Sequence, residues 1–173
     1  MTATAMDLNE VNEQPIKPDL QASPIWPSWP KWYDPKAPLE SAVSYVASLS
    51  NRFNWVGIYL LKNGFLELGP YIGAKTEHTR ISVGQGICGI AVAENADQNI
   101  ADVTKSSNYL ACSLETLSEL VVLIKNQAGE ILGQIDIDSH TAAAFGPPEE
   151  QAVKNIAQEL GRLWPESGSL SPH

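Results

Sequence analysis

Cys88 and Cys112 stand in unlike surroundings, and carboxylates follow them at intervals that a β-strand would turn toward one face. Cys88 lies in Gly84-Gln85-Gly86-Ile87-Cys88-Gly89. Cys112 lies in Tyr109-Leu110-Ala111-Cys112, seven positions before Glu119, and Asp136-Ile137-Asp138-Ser139 comes further on. Two thiols with carboxylates nearby fit thiol redox chemistry on a small polar substrate. If Gly86 opens a helix, Cys88 falls in its first turn, where unpaired amides and the helix dipole favour a thiolate. Gly84 and Gly86 would permit a tight turn and a close backbone approach to a ligand. The same cysteine also fits a small apolar side chain on a buried helix face. Cys112 sits in a stretch of weak periodicity, the kind of loop that often carries reactive groups. No basic residue adjoins it, and a buried inert thiol fits there too.

Asp136 and Asp138 alternate along a strand, so both carboxylates share one face while Ile135 and Ile137 take the other. Two like charges so placed repel unless a cation, a proton or solvent separates them. Such a pair could hold a substrate ammonium, or keep one carboxyl protonated as a general acid. Glu119 opens the expected partner strand and could join them. A solvated sheet edge accounts for the same pattern. Trp55 and Tyr59 are also on one strand face and could wall a small apolar pocket with a hydroxyl donor, or simply pack a core. His78, His140 and His173 form no zinc spacing with the cysteines, so no metal is expected. There is no phosphate loop, and Gly84-x-Gly86 lacks the third glycine of a dinucleotide fingerprint, so no cofactor is expected either.

These groups need elements to position them. Leu39, Ala42, Val43, Val46 and Leu49 recur at helical spacing behind Pro38. Residues 54–62 and 65–71 read as a hairpin across Asn63-Gly64. A short strand at 79–83, a helix at 86–95 and a short strand at 99–103 follow, then loop or irregular helix over 106–118. Residues 119–126 and 130–139 form a second hairpin. A last helix opens at Pro147-Pro148, presents Val153, Ile156, Ala157 and Leu160 on one face, and ends at Pro165. The expected class is α+β: an antiparallel sheet with the N- and C-terminal helices packed on one face. Residues 1–37 form an arm rich in proline, with Trp26, Trp29 and Trp32, read as partly disordered and then extended with its tryptophans docked. Residues 38–165 form the domain, and 166–173 a frayed tail.

Composition narrows the partners. A net charge of −9 disfavours nucleic acid and anionic membrane surfaces. No apolar run reaches the length of a membrane span, and the start lacks the features of a secretory signal. With only two cysteines, this fits a reducing, cytoplasmic setting.

Several segments together resemble a known family. They are Asn54-Trp55-Val56-Gly57-Ile58-Tyr59, Leu68-Gly69-Pro70-Tyr71, Gly84-Gln85-Gly86-Ile87-Cys88-Gly89, Asp102-Val103, Ala111-Cys112, Ser118-Glu119-Leu120-Val121-Val122 and Gly133-Gln134-Ile135-Asp136-Ile137-Asp138-Ser139. In this order, from about Leu39 to Leu163, they look like the GAF-fold free methionine-(R)-sulfoxide reductases. The resemblance implies a GAF-like fold and reduction of the R epimer of free methionine sulfoxide. A thiolate attacks the sulfur, a sulfenic acid forms, a second cysteine condenses with it, and thioredoxin reduces the disulfide. Cys112 matches the attacking position, and Cys88, or else an external thiol, is then the resolving partner. Glu119, Asp136 and Asp138 match the acidic residues that hold the amino group and assist departure of oxygen. Trp55 and Tyr59 match the pocket for the methylthio end. A homodimer is implied as well. The chain departs from the family at His78, where a third cysteine is common, and at Gln85, Ser113 and Leu123, where Arg, Asp and Pro are usual. The alternative is a non-catalytic GAF domain that senses a small amino-acid-like ligand.

Overall fold

The computed structural model describes residues 5–6, 30–105 and 115–164. Cys112, Trp26, Trp29 and the tail expected at 166–173 lie outside them. In chain order the elements are β1 (Ala5–Met6), α1 (Pro38–Ser48), β2 (Trp55–Lys62), β3 (Phe65–Ile72), β4 (Arg80–Ser82), α2 (Gly86–Glu94), β5 (Gln98–Ile100), β6 (Ser118–Lys125), β7 (Ile131–Ser139) and α3 (Pro147–Leu163). They build one sheet in the order β1-β3-β2-β7-β6-β5, with β4 also paired to β3.

Two hairpins form the middle of this sheet. Asn63 and Gly64 turn β2 into β3 with φ of 52° and 79°, the type I′ geometry that Asn-Gly favours because its twist matches the flanking strands. The β6–β7 hairpin joins the first through antiparallel pairing of β2 with β7. All pairs but one are antiparallel. The exception is β1, whose Ala5 and Met6 pair in parallel with Tyr71 and Ile72. The expected strand at 99–103 is shorter, because Asp102 accepts hydrogen bonds from the Thr104 amide and hydroxyl at 3.1 and 2.5 Å. That local bonding winds Val103–Lys105 into a 3-10 turn instead of continuing a ladder.

Each central strand divides its side chains between two apolar clusters. Ile58, Leu120, Val122, Ile135 and Ile137 meet α1 and α3 on one face. Trp55, Tyr59, Val121 and Leu123 meet α2 on the other. The terminal helices therefore share a face, as their amphipathic spacing requires, while the middle helix covers the opposite one. Burial on both faces leaves every residue of β6 buried except Lys125. Trp32 stacks on Tyr45 of α1 with ring centroids 5.7 Å apart, which anchors the segment before α1. At the other end, Glu149 accepts the Gly146 amide at 3.1 Å and Pro147 opens α3. The helix closes at Leu163, before Pro165 restricts the backbone.

Helix α3 approaches β6 so closely that a Cβ on Gly161 would collide with the carbonyl oxygen of Lys125. Gly161→Ala should force the helix off the sheet and cost about 1–3 kcal/mol. Thermal unfolding should register this as a midpoint several degrees lower; an unchanged midpoint would mean the contact is soft.

Candidate active site

Strand register brings the expected carboxylates together. Asp138 lies between Trp55 on β2 and Glu119 on β6, and Asp136 lies between Gly57 and Val121. All sit on the α2 side of the sheet, because β7 turns Ile135 and Ile137 to the α1–α3 side. They are not at a solvated edge. Relative exposures are 0% for Asp136, 2% for Asp138 and 3% for Glu119. The sheet is covered on both faces, so period-2 alternation here separates two interiors rather than core from water.

Helix α2 supplies the thiol. Cys88 is the third residue of the helix, and its Sγ lies 4.0 Å from Glu119 Oε1. Cys88 Sγ and one oxygen each of Glu119 and Asp136 all lie within 4.8 Å of one another. Gly84 and Gly86 take φ of 87° and 64°, and Gly84 donates to the Gly89 carbonyl at 2.8 Å. These bonds fold the turn back on the helix and fix the thiol over the strands. Cys112 lies outside the described residues, in the segment leading into β6.

Burial dominates the electrostatics. Desolvation lifts Asp136 to about 7; the nearby Cys88 thiol and Ile137 amide oppose this. Neither reaches hydrogen-bonding geometry with its carboxylate. Glu119 is pushed well above the ordinary range by burial, then by the charges of Asp136 and Asp138. Asp138 is raised likewise by burial and by Asp136. Among the described residues, neither oxygen of Asp136 or of Asp138 has a hydrogen-bond partner. Buried carboxyls left this way are costly unless a proton or a cation completes them.

Aromatic residues wall the same face. Trp55 Nε1 donates to the Ala74 carbonyl at 3.1 Å, and its ring stacks on Tyr71 with centroids 5.5 Å apart. The Tyr59 ring is 6.3 Å from that of Trp55, and its hydroxyl donates to the His78 carbonyl at 2.8 Å. Two glycines escaped functional notice in the sequence. A Cβ on Gly57 would enter the six-membered ring of Trp55, and one on Gly73 would come within 2.5 Å of Cδ1. The readable signal was Gly57 two places after Trp55, hence under its side chain on the same strand face. Gln134 was also missed. It continues the alternation of Asp136 and Asp138, faces Tyr59 and Leu123, and is fully buried with both amide atoms unpartnered among the described residues.

A free methionine-R-sulfoxide reductase of Escherichia coli is 36% identical, over 75% of this chain and 84% of that one. The chain belongs to the free methionine-R-sulfoxide reductase family. No protein-family model matches it. Among solved structures, a type II free methionine-R-sulfoxide reductase from Thermoplasma acidophilum superposes with a TM-score of 0.70 at 38% identity, covering 73% of this chain and 89% of that chain. The Neisseria meningitidis free methionine-R-sulfoxide reductase, solved in complex with its substrate, gives 0.67 at 30% identity, covering 73% and 75%. A GAF domain gives 0.66 at 32% identity, covering 71% and 73%. The reductase's α+β plan, an antiparallel sheet between terminal helices and α2, is the GAF fold.

The carboxyl trio makes the unliganded reductase sensitive to pH. Unfolded carboxyls titrate near pH 4, whereas these three titrate higher when folded. Their contribution favours the folded state at low pH and is lost as pH rises from about 4 through the folded values. The unfolding midpoint should therefore rise as pH is lowered from about 8 to about 6. Asp138→Asn should raise the midpoint at the higher pH and flatten the slope. A wild-type midpoint independent of pH across this window would refute the account.

Proposed function

We propose that this chain is an oxidoreductase that reduces free L-methionine (R)-S-oxide to methionine. The observation that carries this reading is the trio of buried, incompletely satisfied carboxyls beside Cys88 and the aromatic wall. A free amino acid brings the missing cation: its ammonium would sit against Glu119, Asp136 and Asp138. A residue within a peptide has an amide there and could not replace it. Trp55 and Tyr59 would receive the apolar methylthio end.

The reaction follows from these placements. The Cys112 thiolate attacks the sulfinyl sulfur. A carboxyl that still holds a proton, which Asp136 can supply near neutral pH, protonates the departing oxygen. Oxygen passes to the enzyme, so methionine leaves and Cys112 becomes a sulfenic acid. The Cys88 thiol condenses with it, water is lost, and a Cys88–Cys112 disulfide forms. A thioredoxin dithiol then returns both cysteines to thiols. A cytoplasmic homodimer is the setting this reading implies. The sensor alternative uses the same pocket but gives no task to a thiol held against Glu119.

Turnover of free methionine R- and S-sulfoxide should be measured with dithiothreitol and with a thioredoxin system. We expect R-selective turnover that Cys112→Ser abolishes and that Cys88→Ser abolishes only with thioredoxin. Saturable binding without turnover under either reductant would favour the sensor. Separately, Gly57→Ala should displace the Trp55 ring and raise KM more than it lowers kcat. An unaltered KM would remove Trp55 from the substrate pocket.

A further inference from the structure

We infer that the reduced protein binds a thiophilic divalent cation, with Zn2+ the best fit, through Cys88, Glu119 and Asp136. One donor atom from each already lies within 4.8 Å of the others. All three residues are buried, so the donors are held by packed elements and not by mobile surface chains. An independent feature points to a ligand: both oxygens of fully buried Asp136 lack partners among the described residues, and so do those of Asp138 next to it.

The donor set selects the metal class. A tetrahedral zinc site has Zn–S near 2.3 Å and Zn–O near 2.1 Å, which puts its ligands about 3.4–3.6 Å apart. The Cys88 Sγ to Glu119 Oε1 separation of 4.0 Å needs a contraction of only a few tenths of an ångström. Water can take the fourth position. One thiolate with two carboxylates suits Zn2+, whereas Mg2+ demands an octahedral oxygen shell that a sulfur ligand does not supply. Asp138, adjacent but not a ligand, adds negative potential. On binding, the Cys88 proton and any carboxyl proton pass to solvent, and no electron moves.

The metal would be an inhibitor and not a cofactor. It occupies the carboxylates assigned to the substrate ammonium, and it ties up the thiol assigned to resolve the sulfenic acid. That consequence rests on the proposed reaction; the metal site itself rests on geometry. Because a thiolate ligand is required, only the reduced protein binds, and oxidation of Cys88 expels the ion.

The test is a Co2+ titration of full-length reduced protein, read by the thiolate-to-cobalt charge-transfer band, with Zn2+ competition for affinity. Wild type and Cys112→Ser should both show the band. Cys88→Ser should lack it, and Asp136→Asn should bind roughly tenfold or more weakly. Circular dichroism confirms that each variant is folded, and Glu119→Gln serves as a second carboxylate probe. No band in wild type, a band that survives Cys88→Ser, or affinity indifferent to both carboxylate variants overturns the site. Zn2+ should also stop turnover until a chelator is added. Metal bound with the expected dependences while turnover continues would uphold the metal site and overturn the shared occupancy with substrate.

Discussion

Three carboxyl groups share one face of the sheet, shut away from water, and among the described residues no basic side chain pairs with them. Their mutual repulsion and lost hydration oppose folding. Each tenfold increase in proton affinity corresponds to about 1.4 kcal/mol against the charged form. The rest of the architecture exists in relation to this penalty. The α1–α3 face is largely aliphatic and aromatic, with Ser118 and Ser139 buried at its end, and it supplies packing that offsets the cost of the other face. A protein of this size folds by a narrow margin, so the apolar face must be tightly assembled for the acidic one to persist.

Under the proposed function, the same penalty would give the pocket its selectivity. A site that is incomplete without a cation gains more from an ammonium than a neutral pocket would. It also rejects ligands that leave the carboxyls unmet, since an unpaired buried charge is expensive. The aromatic wall adds shape. Trp55 cannot swing away, because two glycines press on its ring, a carbonyl holds its nitrogen and Tyr71 backs it. Under the proposed function, rigid aromatic surface beside unsatisfied acid would receive a small zwitterion with an apolar end.

Much of this was legible in the sequence. Alternation around Asp136 and Asp138, the Asn63-Gly64 turn and the amphipathic final helix each follow from local rules, and each was found in place. The depth of the carboxylates was not legible. Alternation tells which residues share a face; it does not tell whether a helix covers that face. That is decided by α2, which sits over the strands only because Gly89 lets it approach the Ser82–Gly84 turn. The parallel contact of β1 was equally hidden, since a two-residue bridge is set by a distant edge and not by its own sequence. Gly73 was hidden because the Trp55 ring reaches it from another strand, whereas Gly57 lies two places from Trp55 on the same strand.

The Tyr59 hydroxyl donates to the backbone oxygen of position 78. Any residue at that position offers the same acceptor. The pocket wall and the chemistry of residue 78 are therefore separable traits. A substitution at position 78 can change the side-chain chemistry beside the aromatic wall while the anchor of Tyr59 persists.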